Sequence, residues 1–134
     1  MRIDFYQDNI SFLKKGMLRG LQYQTKTYKQ GKLVSVIKGK IFDIAVAIRP
    51  SLKYFGKYFS IILSDKNNLQ FCIPEGFAHG YLALEDFILK YKTTNYFNYK
   101  KENTIVFNDK SINIKWPKIN KFIISKKDIR GFYL

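Results

Sequence analysis

Apolar and polar residues alternate along most of the chain, and the alternating runs are short. Residues 32–38 and 41–48 are the clearest, joined by Lys38-Gly39-Lys40, a compact turn whose glycine is free to take positive φ. Further β-rich runs lie at 58–63, 69–73, 80–84 and 87–94. Turn-forming residues separate them at Arg49-Pro50-Ser51, 64–68, Pro74-Glu75-Gly76 and Glu85-Asp86. Short strands at close spacing predict an all-β sandwich or barrel. Helix is expected only as one short turn within 115–128, where Pro117 and several β-branched residues oppose anything longer. No repeat, low-complexity tract or linker divides residues 1–134, so the pattern predicts one domain.

Length and composition add two constraints. A chain of 134 residues buries about two-thirds of its unfolded surface, so its stability requires neither disulfide nor metal. The abnormal quantity is charge: 24 Lys and Arg against 10 Asp and Glu give +14. That balance suggests nucleic acid or an anionic membrane. A competing explanation is drift toward A/T-rich codons, since Lys, Asn, Ile, Tyr and Phe make up half of the chain. The basic residues are dispersed in ones and twos, as at Lys14-Lys15, Lys100-Lys101 and Lys126-Lys127, which is not the grouping of a nucleic-acid arm. A small anionic ligand fits either explanation. The single cysteine, Cys72, sits in the apolar run 69–73 and is expected to be a buried, inert thiol. With no intrachain disulfide, no apolar signal-like region after Met1 and no run of eighteen apolar residues, the chain reads as cytoplasmic, with no membrane partner.

Candidate chemistry is sparse. His79, in Pro74-Glu75-Gly76-Phe77-Ala78-His79-Gly80, is the only histidine. Multi-histidine zinc, copper and facial-triad sites are therefore excluded. A lone histidine is more often structural than functional, but glycines on both sides suggest a loop facing a ligand. In Leu18-Arg19-Gly20-Leu21-Gln22-Tyr23-Gln24, strict alternation puts Arg19 and Gln22 on opposite sides unless Gly20 marks a bulge. Asp43 is a lone acid in a strongly apolar strand, so it either faces solvent or partners a cation in a pocket. Tyr91 and Lys92 read either as an acid and a cation or as a half-exposed strand.

Together the motifs resemble the dTDP-4-dehydrorhamnose 3,5-epimerase family, nucleotide-sugar epimerases of the cupin-like jelly-roll class. The resemblance rests on Gln7-Asp8-Asn9, Leu18-Arg19-Gly20-Leu21, Gln30-Gly31-Lys32-Leu33-Val34, Phe42-Asp43-Ile44-Ala45-Val46 and Phe55-Gly56-Lys57. It continues through Ile73 to Gly80, Tyr91-Lys92-Thr93-Thr94-Asn95-Tyr96, Asn108-Asp109, Trp116-Pro117 and Ser125-Lys126-Lys127-Asp128, in the family's order. It implies an all-β jelly roll, a homodimer and a dTDP-linked 4-keto-6-deoxyhexose as ligand in deoxysugar (rhamnose) biosynthesis. It implies neither metal nor cofactor. Protons at C3 and C5 flank the C4 ketone; a base removes each and an acid returns one to the opposite face. Lys32 matches the position that supports the enolate oxygen, and Tyr91 the proton donor. Gln7, Asp8, Asn9, Arg19, His79, Glu102 and Lys127 match substrate-binding positions. Phe97 matches the aromatic that stacks on thymine, and Asp128 the carboxylate paired with the catalytic histidine.

Two departures accompany the resemblance. The family reads Leu-Arg-Gly-Leu-His where this chain has Gln22, and a neutral carboxamide has no useful basicity. Gln22 is expected to fill the histidine's volume and donate to Asp128. The family also carries a longer stretch before Gln-Asp-Asn, supplying an Arg, a Glu and strands of the dimer; this chain is expected to lack that extension. Two functions stay open: an epimerase, and a non-catalytic nucleotide-sugar-binding homologue. Nucleic-acid binding is the least favoured third.

Overall fold

The computed structural model describes residues 3–134, and strands dominate it. One sheet has the order β1 (Gln7–Leu13), β8 (Phe87–Thr93), β3 (Lys32–Lys38), β6 (Gln70–Ile73). The other runs β10 (Ile123–Ile124), β2 (Met17–Gln24), β7 (Phe77–Ala83), β4 (Lys40–Ala47), β5 (Tyr58–Ser64), with β9 (Glu102–Thr104) pairing β2 off the main path. Pairing between these strands is antiparallel except between β10 and β2, and an isolated parallel bridge joins Ile105 to Phe132. The two sheets form the expected cupin-like jelly roll. One short helix, α1 (Lys126–Ile129), is capped by Ser125, whose Oγ accepts from the Asp128 N–H at 3.2 Å.

Alternation fixes which side chains meet between the sheets. Val34, Ile73, Phe87 and Leu89 from the first sheet pack on Ile41, Ala45, Leu63, Tyr81 and Ala83 from the second. Each fully buried Leu, Ile or Phe contributes roughly 1.5–3 kcal/mol. The outer face of the second sheet is covered in turn. Ile105 and Ile112 of the C-terminal segment close over Leu21, Ile44, Val46 and Ala78, with Trp116 edge-on to Phe42.

Three expectations need correction. Cys72 is exposed, because in β6 Phe71 and Ile73 take the inner positions and Cys72 faces outward. His79 lies within strand β7 rather than in a loop, and is buried. The sequence pattern also missed β1, whose mixed composition hides a strand held by seven residue pairs with β8.

Candidate active site

The bulge in β2 organises the site. Arg19 pairs with Tyr81 and Gln22 with His79, so Gly20 and Leu21 on β2 lie opposite Gly80 alone on β7. The bulge therefore turns Arg19 and Gln22 toward the same side. Gly20 has φ +109°, and a Cβ there would lie 2.6 Å from the His79 carbonyl oxygen, so glycine alone fits between the strands. Gly20 also donates its N–H to Asp128 Oδ2 at 3.3 Å, tying the bulge to α1.

A cavity of about 240 Å³ opens between the sheets beside this bulge. Lys32 and Tyr91 from the first sheet line it, with Gln22 and Gln24 from the second. Asn9, Phe97 and Glu102 contribute further walls, and Arg49, Pro50 and Gly76 close another side. The Lys32 ammonium nitrogen stands 5.7 Å from the centre of the Tyr91 ring, so a cation and a phenol share one wall.

Two buried carboxylates stand behind the cavity. Asp128 accepts from Gln22 Nε2 at 3.1 Å on Oδ1 and from Gly20 on Oδ2. Asp43 holds His79, Nε2 to Oδ1, at 2.5 Å, and Oδ1 also accepts from the Ile44 N–H at 3.0 Å. The other Asp43 oxygen, Oδ2, has no hydrogen-bond partner. On its far side His79 presents Nδ1 to the Lys32 ammonium at 3.4 Å. Burial pushes the Lys32 ammonium below its ordinary value, with Asp43 and Glu102 opposing the change. Burial raises the Tyr91 phenol, which Arg19 opposes and Glu102 reinforces. Tyr91 thus stays a proton donor well above neutrality.

The remaining residues singled out in the sequence divide into two groups. Gln7 accepts from the Phe97 N–H at 2.9 Å and donates to Asn9 Oδ1 at 2.9 Å, bracing the exposed Phe97 at the cavity mouth. Glu102, in the cavity wall, is ion-paired with Lys127. Asp8, by alternation, points to the outer face and pairs with Lys92 at 2.9 Å. His79 and Asp128 are buried behind the wall rather than lining it, and Arg19 is exposed. Arg49 went unnoticed in the sequence because Arg49-Pro50-Ser51 reads as a turn. Its guanidinium is held by the Glu75 carbonyl and lies over Gly76, whose φ is +90°. Among the described residues no group of three or more His, Cys, Asp or Glu side chains gathers as a metal site requires. No helix among them is long and apolar enough to cross a membrane.

Known proteins similar to this chain are numerous. The model of the dTDP-4-dehydrorhamnose 3,5-epimerase family matches residues 1–134. The chain is 49% identical over 133 residues to the dTDP-4-dehydrorhamnose 3,5-epimerase of Shigella flexneri, covering 97% of this chain and 72% of that one. It is 46% identical to the enzyme of the same name from Escherichia coli K12, covering 98% and 72%. A crystal structure of the dTDP-6-deoxy-D-glucose-3,5-epimerase of Legionella pneumophila, in complex with dTDP-4-keto-L-rhamnose, superposes with a TM-score of 0.96. That comparison has 42% identity and covers 99% of this chain and 71% of the other.

Proposed function

The chain belongs to the dTDP-4-dehydrorhamnose 3,5-epimerase family, and from that membership we propose that it epimerises a dTDP-linked 4-keto-6-deoxyhexose at C3, C5 or both. The observation that carries this reading is the Lys32–Tyr91 pair on the cavity wall. An ammonium beside the ketone oxygen stabilises the enolate that forms when either flanking proton leaves. A phenol kept protonated by burial then returns a proton to carbon. The thymine would rest on Phe97, which keeps an aromatic stacking face. Arg19, Asn9 and Lys127 would meet the diphosphate and sugar, with Gln7 and Glu102 bracing them.

The residue at position 22 limits the rate. Asp128 is 1% exposed and sits behind Gln22, outside the cavity wall, so it has no direct path to a substrate carbon. Gln22 occupies the place of a histidine without its basicity. Proton removal then falls to water in the cavity, and turnover runs about 10²–10⁴ slower than with an imidazole at this position. The alternative, a binding protein without turnover, is favoured only by this Gln22–Asp128 bond. Incubation with dTDP-4-keto-6-deoxyglucose in D₂O, followed by NMR at C3 and C5, separates them. Enzyme-dependent deuterium entry supports the epimerase; saturable binding without it supports the binder.

A homodimer and a cytoplasmic location complete the proposal. Ile10, Phe12 and Ile37 are exposed on β1 and β3 of one sheet, an apolar surface that a second copy would cover. Sedimentation at micromolar concentration tests this, with a monomer as the contrary result. No nucleic-acid partner is proposed, because the basic residues are scattered; salt-dependent retention on DNA or RNA would contradict that.

A further inference from the structure

We propose that Asp43 and His79 act as a positioning chain for Lys32, fixing the histidine tautomer so that the Lys32 ammonium is held, and kept charged, at the enolate oxygen. The inference rests on the role of Lys32 proposed above, and adds a role for Asp43 and a different one for His79.

The geometry supplies the direction of each hydrogen bond. A lysine ammonium has three donors and no acceptor. Its 3.4 Å contact with His79 Nδ1 therefore requires a lone pair on that nitrogen. The ring proton then sits on Nε2, where Asp43 Oδ1 accepts it at 2.5 Å. Each link comes from a different strand: Lys32 from β3, His79 from β7 and Asp43 from β4. His79 and Asp43 are buried, and it is Lys32 that faces the cavity.

Asp43 also carries a cost that packing does not explain. Its side chain is fully buried in an apolar strand, and Oδ2 has no partner. An apolar residue there would avoid the uncompensated desolvation. The carboxylate has an electrostatic effect in return. The groups facing Lys32 are His79, Asp43, Tyr91 on β8 and Glu102 on β9, and of these Asp43 and Glu102 counter the loss of charge that burial imposes. Glu102 is already ion-paired with Lys127, which leaves Asp43 as the carboxylate without a cation of its own among the pairs described.

The test combines a spectrum of the unaltered protein with one variant. In ¹⁵N-labelled protein, the imidazole shifts of His79 should report the Nε2–H tautomer; an Nδ1–H tautomer overturns the chain whether or not any variant folds. In Asp43→Asn the Lys32 ammonium, followed by its own ¹⁵N resonance, should titrate about one pH unit lower than in the unaltered protein. The alkaline limb of deuterium exchange should move by the same amount, with KM little changed. An Asp43→Asn protein that folds, with the Lys32 titration unmoved, contradicts the proposal. Both NMR readings use resting protein, so a failure of turnover would leave the positioning chain independently decided.

Discussion

Asp43 and Asp128 make a controlled pair. Both are buried carboxylates, and their partners, His79 and Gln22, face each other across β7 and β2. Asp43 holds an imidazole, which passes its orientation to Lys32 through the opposite ring nitrogen. Asp128 holds a carboxamide, which fills the same kind of space but has no basic nitrogen near neutrality. A buried acid therefore does not define a catalytic site. The group it orients does, and here one couple keeps a titratable partner while the other keeps only the architecture.

The largest expected effect breaks that contrast directly. Gln22→His should restore a base beside Asp128 and raise the exchange rate about 10²–10⁴-fold; an unchanged rate would show that position 22 does not limit turnover. Next comes the intact side. Lys32→Gln should lower exchange about 10²–10³-fold, the scale of a removed oxyanion donor, with KM largely preserved. Tyr91→Phe should reduce epimer formation about 10²-fold while first proton removal suffers less, so product and deuterium wash-in should separate. A smaller effect is expected at the mouth, where Phe97→Ala should weaken dTDP binding about tenfold in calorimetric titration without changing the pH profile.

The smallest effect on activity belongs to a third acid that serves as a control. Asp109 accepts from the Ser111, Ile112 and Leu134 N–H groups and from the Ser111 hydroxyl. Burial opposes its ionisation, but these hydrogen bonds hold its carboxyl below the ordinary value of 3.8. A folded value below the unfolded one stabilises the protein above that range, and the contribution is lost as the pH falls through it. Asp109→Ala should therefore destabilise by about 1–3 kcal/mol at pH 7, less in acid, and leave exchange per folded molecule unchanged. Denaturant titrations at pH 7 and pH 3 measure both terms.

How far the sequence foretold this arrangement differs by region. The strands of the core were legible because alternation at 32–38, 41–48 and 87–94 survives in both sheets. β1 was not, since Gln7, Asp8 and Asn9 break the apolar pattern and the strand is held by pairing with β8. Cys72 was misplaced because the run 69–73 was read as uniformly apolar, although alternation puts Cys72 on the same face as Gln70. Asp43 stood out as a lone acid, but only tertiary structure joins it to His79, 36 residues away, and to Lys32. The bulge at Gly20 was one of two readings of the glycine; the register with β7 selects it. Arg49 had no signal of its own, because its approach to the cavity depends on the turn at Gly76.

The central claim is that the cavity turns over a keto-sugar through Lys32 and Tyr91 despite Gln22. Deuterium entry at C3 and C5 of dTDP-4-keto-6-deoxyglucose, measured for the unaltered protein beside the Lys32→Gln variant and protein-free buffer, tests it most directly. The account predicts exchange above the buffer rate in the unaltered protein and its loss in the variant. Saturable binding with exchange at the buffer rate would contradict it.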